Sequence, residues 1–216
     1  PQGDHLRICT DSDVCYEARR VILAMGVRRR HLNVPGEDRL AGHGVGWCAV
    51  CDGAFFRGQD VAVVGGGNTA LEDALYLSGL CKTVHLLVRK NEFRGQAALV
   101  QRVMEKENIK ARFQTEVTEI LGENKVSGIT VTQNGVTETI PLSGVFVAIG
   151  LSPDTSLYGD LVETDPSGYI VAGEDCRTSV PGIFAAGDIR TKEIRQIVTA
   201  LSDGAVAAEL AGRELA

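Results

Sequence analysis

Cys48 and Cys51 stand three residues apart in the stretch GWCAVCDGAFF, and Asp52 and Gly53 follow at once. Cys-x-x-Cys spacing lets two sulfurs come close enough to bond. It commonly lowers one thiol's pKa, which raises the thiolate fraction that carries out exchange chemistry. Asp52 is placed to pass a proton to or from the outgoing sulfur, with simple helix capping as its alternative role. A structural zinc site would need four ligands. The chain has no second Cys-x-x-Cys, and its histidines at 5, 31, 43 and 85 show no matching spacing, so no metal site is expected. Two inert core cysteines are the remaining alternative, and the glycine-flanked setting argues instead for a loop or a helix start.

A second constellation is Gly65-x-Gly67-x-x-Ala70, with Asn68 and Thr69 inside it. The first glycine permits a tight turn, the second lets the backbone approach a pyrophosphate, and Ala70 lets helix and strand pack closely. The helix that follows offers free N–H groups and a partial positive charge to an anion. An NAD-binding unit normally ends its second strand in Asp or Glu. This one ends in VRKNEFR, so Arg89, Lys90 and Arg94 cluster where the ribose 2′ position belongs. Cations there favour a 2′-phosphate, and the expected cofactor is NADPH. A nicotinamide gives up a hydride, a disulfide accepts two electrons, and a flavin is the usual mediator, so the sequence should also hold a flavin site.

These groups need elements to position them. DVAVV before the glycines reads as a short buried strand. Ala70, Leu71, Ala74 and Leu75 fall at helical spacing, and TVHLLV is the next strand, completing a βαβ unit. LRIC and CYEARRVILAMG read as strands joined by the turn TDSD, and residues 27–46, rich in glycine with Pro35, read as a linker or hinge region. EFRGQAALVQRVMEKEN predicts a helix from about Gly95. IKARFQTEVTEILGE, VSGITVTQ and VTETIPL predict antiparallel strands, the last two joined by an Asn134-Gly135 hairpin turn. GVFVAIG reads as another buried strand, GYIVAG and GIFAAGD follow, and a helix is expected from roughly Arg195 to Leu215.

VILAMG and VFVAIG share an ending and bracket residues 27–144, which read as a domain inserted into another. The expected division is 1–30, first segment of one domain; 31–148, the inserted domain with the Cys-x-x-Cys; and 149–216, the second segment of the first domain. The composition is 44% hydrophobic and 23% charged, able to bury a core, and the net charge of −6 without a long Lys/Arg block speaks against nucleic acid. No stretch approaches the ~20 apolar residues that span a bilayer. PQGDHLRICT lacks a signal-peptide pattern and an initiator Met, so the chain is expected to begin inside a longer parent. The remaining cysteines, 9, 15, 81 and 176, are expected to be buried small hydrophobes in a reducing, cytoplasmic setting.

With these residues in hand, CAVCDGAFFRGQDVAVVGGGNTALEDALYLS resembles the central stretch of the low-molecular-weight, bacterial-type thioredoxin reductases. TSVPGIFAAGDI and RQIVTALSDGAVAA resemble their C-terminal FAD segment, and the likeness runs over about residues 6–214. It implies an α/β, two-domain FAD/NAD(P)-binding fold of three-layer ββα Rossmann-like form, the NADPH domain inserted into the FAD domain. Electrons would pass from NADPH through FAD to Cys48–Cys51 and on to the disulfide of thioredoxin, in a homodimer. By the same likeness Cys51 faces the flavin, Cys48 attacks the substrate and Asp52 is the acid–base residue. Gly187 would belong to the FAD site, Asp188 would bond the flavin's ribityl chain, and Arg195, Gln196 and Ile197 would lie along the isoalloxazine. The family rotates its NADPH domain between two encounters, which would put hinges in VPGEDRLAGHGVG and near Gly150-Leu151-Ser152. Two departures stand out. Val88-Arg89-Lys90 replaces a frequent His-Arg-Arg, and Lys is a point charge where Arg is a fork. The family's opening Gly-x-Gly-x-x-Gly turn for the ADP half of FAD has no counterpart, so the N-terminal FAD-binding half is expected to be missing and the 216 residues alone to be inactive. Alternative readings are the flavoprotein of an alkyl hydroperoxide reductase system and a non-catalytic NADPH-binding fragment.

Overall fold

The computed structural model describes residues 5–154, 158 and 160–216; the first four residues of PQGDHLRICT lie outside them. In chain order the elements are β1 (Leu6–Cys9), β2 (Cys15–Ala18), β3 (Val21–Leu23), β4 (Val27–Arg29), β5 (Val45–Gly46), α1 (Ala49–Asp52), β6 (Asp60–Val64), α2 (Asn68–Ser78), β7 (Thr83–Val88), α3 (Ala97–Met104), β8 (Ile109–Phe113), β9 (Thr115–Leu121), β10 (Gly128–Gln133), β11 (Val136–Pro141), β12 (Gly144–Val147), β13 (Leu151–Pro153), β14 (Ile183–Ala185) and α4 (Ile197–Arg213). The chain divides into two compact units, one of Pro1–Arg28 with Leu151–Ala216, the other of Arg29–Gly150.

The Arg29–Gly150 unit is built on a five-stranded sheet in the order β5-β12-β6-β7-β8, with every pairing parallel. Successive strand residues point to opposite faces, and β6 shows it. Val61 and Val63 pack with Leu71, Ala74 and Leu77 of α2 and Val103 of α3. Ala62 and Val64 join Val117, Ile120, Ile129 and Val131 of the three-stranded antiparallel sheet β11-β10-β9 on the other side. The result is helix, parallel sheet, antiparallel sheet: three layers with a core on each side of the middle one. In α2 the buried residues Ala70, Leu71, Ala74 and Leu77 form one stripe, as the helical spacing predicts. Burying Leu71 and Leu77 contributes about 1.5–3 kcal/mol each relative to exposure.

The other unit holds the β1–β2 hairpin, the parallel pair β3–β14 and helix α4. Ile170, Ile183, Ala185 and Ile189 form one small core with Leu6, while Phe184, Ala186, Ala207 and Ala211 form another.

Three sequence expectations are corrected. CYEARRVILAMG is two strands, because β2 pairs antiparallel with β1 while β3 pairs parallel with β14. IKARFQTEVTEILGE also breaks in two. Gln114 sits at φ 51° and its N–H bonds Lys90 O, which leaves β8 parallel to β7 and starts β9 in the antiparallel sheet. Residues 27–46 hold buried groups: Leu40 and Val45 are core, and the buried Glu37 carboxylate accepts the Leu32 and Asn33 N–H groups at 3.0 and 2.8 Å. GYIVAG forms only isolated bridges through Ile170. The Asn134-Gly135 turn is as the sequence predicts, with both residues at positive φ (51° and 80°) between β10 and β11.

Candidate functional site

Cys48 and Cys51 are bonded to each other, with their Cα atoms 5.2 Å apart. Cys48 is extended and caps α1. The Cys51 N–H donates to its Sγ at 3.2 Å, and the Cys48 carbonyl accepts from Cys51 and Asp52 N–H groups. Buried Ala49 ties the short helix to the core, and Gly53 lets it sit against α2, since a Cβ there would lie 2.8 Å from Leu77 Cδ2. Cys48 is half-buried and Cys51 exposed, flanked by the exposed apolar side chains of Val50 and Phe55. Asp52 Oδ2 lies close over Gly46, where an added Cβ would be 3.1 Å away. A disulfide whose second cysteine is exposed, with the first cysteine's sulfur receiving an N–H, is an arrangement that can open and close by thiol exchange.

A cleft of about 780 Å³ in the same unit is lined by Gly65, Gly67, Asn68, Thr69, Arg89, Lys90 and Arg94, among others. Gly65 is fixed by the fold: its φ is 149°, and a Cβ would stand 2.3 Å from Ala148 O. Gly67 is different. A Cβ there would meet nothing within 4 Å, and its φ of −95° suits any residue. The protein has no steric use for this glycine, whereas a ligand pressed against the backbone would. Gly67 caps α2 with no side-chain bond, so the first-turn N–H groups open into the cleft mouth. The Arg94 N–H donates to Gly66 O at 2.7 Å and the Gln96 N–H to Asn68 Oδ1 at 2.8 Å. The loop carrying Arg94 is thereby pinned to the glycine turn. Arg89, Lys90 and Arg94 are exposed, and among the described residues no carboxylate pairs with any of them. Three cations without an ion-pair partner among the described residues, in a cleft that Glu92 and Glu116 also line, fit a ligand carrying several phosphates at a helix N-terminus.

The other unit carries the remaining predicted residues. Gly187 adopts φ 78° and its N–H donates to Asp203 Oδ2 at 2.9 Å. Asp188 is half-buried, and its Oδ1 is fully covered with no hydrogen-bond partner. A buried carboxylate oxygen without a donor is costly in a protein that never supplies one; the hydroxyls of a ribityl chain would. Arg195 lies 4.1 Å over the Tyr169 ring and its Nε donates to Asp188 O at 3.4 Å. Gln196 caps α4 in a capping box with Thr199. Ile197 is 82% exposed and continues into exposed Val198 and Leu201. The fold thus brings Asp188, Arg195, Gln196 and Ile197 together at the start of α4.

Sequence reasoning missed three features. Asp203 (5% exposed) accepts from Arg190 Nε and Nη2 at 2.8 Å each and from Lys192 Nζ at 2.7 Å, besides Gly187. Burial works against its charge, but the bonds from Arg190, Lys192 and Gly187 prevail and hold the carboxyl down at about 2. The only hint in the sequence was an Asp at helical spacing among alanines. Asp73, on α2, is pushed up to about 7 by burial and then by neighbouring Glu72. The third is a bond between Cys9 and Cys15, both exposed, where buried free thiols were expected; Cys81 and Cys176 are indeed buried and free.

Comparison with known proteins adds the following. Residues 4–204 match the pyridine nucleotide-disulphide oxidoreductase family. The bifunctional thioredoxin reductase/thioredoxin of Mycobacterium leprae is 44% identical over 218 residues, covering 100% of this chain and 48% of its own length. The thioredoxin reductase of Listeria monocytogenes is 42% identical over 210 residues, covering 96% of this chain and 66% of its own. Among solved structures, thioredoxin reductase from Streptococcus pyogenes MGAS5005 superposes with a TM-score of 0.93 at 41% identity, covering 100% of this chain and 71% of that one. The chain therefore spans about half to two thirds of the curated relatives named. No described helix is long and apolar enough to cross a membrane.

Proposed function

Since the chain belongs to the pyridine nucleotide-disulphide oxidoreductase family, we propose that it works as part of an NADPH-dependent flavoprotein that reduces the disulfide of thioredoxin or a thioredoxin-like protein. The observation that carries this reading is the Cys48–Cys51 bond next to Asp52 in the chain, in the same unit as a cleft lined by Arg89, Lys90 and Arg94, none of which has an ion-pair partner among the described residues. When bound, NADPH supplies a hydride and FAD relays its electron pair to a disulfide.

The chain's own residues do the rest. Arg89, Lys90 and Arg94 grip the 2′-phosphate of NADPH, and the turn from Gly65 to Thr69 seats its pyrophosphate on the α2 N-terminus. Asp188 accepts hydroxyls of the ribityl chain, while Arg195, Gln196 and the apolar start of α4 border the flavin ring. With two electrons and two protons the Cys48–Cys51 bond becomes two thiols. Asp52 moves a proton at the Cys51 sulfur, the one assigned to the flavin side. Cys48, whose Sγ is held by the Cys51 N–H, is the attacking thiolate toward the substrate disulfide. It forms a mixed disulfide, and Cys51 then displaces the substrate thiol and restores the internal bond. Assembly as a homodimer and a cytoplasmic location belong to the same reading and rest on the likeness to the reductases.

The test is turnover by the full-length protein with FAD, NADPH and oxidised thioredoxin, followed as NADPH consumption. Cys48→Ser and Cys51→Ser are each expected to abolish thioredoxin reduction while leaving NADPH binding intact. Reduction that persists in the double variant overturns the proposal.

A further inference from the structure

We propose that Cys9 and Cys15 form a second thiol–disulfide exchange site, open to low-molecular-weight thiols and disulfides and separate from the Cys48–Cys51 pair. It goes beyond the reading above and does not depend on it.

The hairpin ladder sets the two residues directly opposite each other. The Thr10 N–H donates to Val14 O at 2.9 Å and the Asp13 N–H to Thr10 O at 3.2 Å, so Thr10 makes the last hydrogen-bonded position before the turn, opposite a bulge at Asp13, whose φ is 60°. Pairs alternate along an antiparallel ladder, so Cys9 and Cys15 occupy the closer, non-hydrogen-bonded kind. Their Cα atoms are 4.1 Å apart and the sulfurs are bonded. Side chains at such a pair share one face, so the two sulfurs stay neighbours whether or not they are bonded.

Exposure separates this pair from the other cysteines outside the Cys-x-x-Cys. Cys9, Cys15 and the intervening turn are exposed. Cys81 and Cys176 are buried, and burial raises both thiols. Exposed disulfides are the labile ones, because a thiolate can reach the sulfur in line. The position in the hairpin also favours reversibility. Leu6, at the far end of β1, is the hairpin's contribution to the core. The bond closes only the small loop over Thr10–Val14. That turn is also held by Thr10 Oγ1, which donates to Val14 O and shares a bond with Ser12. Opening the disulfide therefore leaves the buried part of the unit untouched.

The exchange balances with a small thiol as reductant. Its thiolate attacks one sulfur of the Cys9–Cys15 bond, forming a mixed disulfide and releasing the other sulfur as a thiolate. A second small thiol displaces the first adduct. The chain gains two electrons and two protons, and the two small thiols leave as one disulfide; the reverse reaction uses a small disulfide as oxidant.

The experiment is a redox titration of the folded full-length protein at graded ratios of reduced to oxidised glutathione, followed by alkylation and tryptic mass analysis. Residues 8–19 and 40–57 fall on separate tryptic peptides, so the two pairs are read independently. The proposal expects peptide 8–19 to pass between zero and two alkyl groups as the ratio changes, with singly labelled glutathione adducts only in passing, and to do the same in a Cys48→Ser variant. Two alkyl groups at every ratio would show that no bond forms. Protection that yields only in denaturant would show a fixed brace, and titration that vanishes with Cys48→Ser would show dependence on the other pair. Each of these three results overturns the proposal.

Discussion

Gly65 and Gly67 stand in one turn, yet the fold needs only the first. Adding a methyl at Gly65 drives it to 2.3 Å from Ala148 O at a φ of 149°, and Gly65→Ala is expected to destabilise the unit by about 1–3 kcal/mol. Adding one at Gly67 meets open space. Gly67→Ala is therefore expected to leave the denaturation midpoint nearly unchanged while weakening NADPH binding by about tenfold or more, read by titration calorimetry. An unchanged affinity would mean that no pyrophosphate passes there. Asp73 offers a prediction that a list of residue types could not. Its carboxyl is raised to about 7 in the folded chain from 3.8, so the native state holds the proton more tightly than the unfolded one. That stability is fully present below about pH 4 and is lost as pH rises through about 7. Asp73→Asn should raise stability by on the order of 1–2 kcal/mol at pH 8, with the gain vanishing near pH 4, as followed by urea denaturation. The residues of the glycine turn and the Cys-x-x-Cys were legible because their chemistry is local. Asp73 was not, because the sequence shows helical spacing but not how deeply a polar neighbour of the apolar stripe is sunk.

At the scale of elements, the loop Gly187–Ile189 and the helix α4 are joined by one carboxylate. Asp203 reaches back from the helix to Gly187 N–H, Arg190 and Lys192, and bonding to Asp203 raises Arg190 in turn, against the cost of burial. Asp203→Asn would leave Lys192 without its counter-charge and Arg190 with only the exposed Glu174 at 3.4 Å, and a loss of about 3–5 kcal/mol is expected on chemical denaturation. Wild-type stability should also fall as pH drops from about 4 through about 2, because the folded carboxyl sits at about 2 against 3.8 unfolded. The family likeness named Gly187, Asp188, Arg195, Gln196 and Ile197, from two short segments of sequence. Asp203 lies beyond them on the helix, and nothing in its spacing tells which cations it meets. The strands follow the same rule. The β10–β11 hairpin was legible from Asn134-Gly135, whereas the break at Gln114 was not, because a glutamine in left-handed backbone carries no composition signal. The exposed Cys9–Cys15 pair escaped for a related reason: pairing across β1 and β2 depends on register, and register is set by the turn.

At the scale of the molecule, Arg29–Gly150 contains both sides of its own layered core. The division into compact units falls at Arg28/Arg29 and Gly150/Leu151, and the division expected from the sequence is 1–30, 31–148 and 149–216. We expect residues 29–150, produced alone, to unfold in one cooperative transition and to bind NADPH at least tenfold more tightly than NADH, a preference that Arg89→Ala with Lys90→Ala should largely erase. The alternation of β6 between two cores was legible as a buried apolar run, but its two partners were not, since periodicity names a face and not what covers it. The central claim is that the electron pair reaching this chain resides on Cys48 and Cys51. It is tested most directly by trapping the sulfurs of the full-length, FAD-loaded protein with an alkylating agent, anaerobically, before and after one equivalent of NADPH. The account predicts that peptide 40–57 carries no alkyl group before and two after; a peptide that stays unlabelled after NADPH has been oxidised, or that is already doubly labelled before it is added, would contradict it.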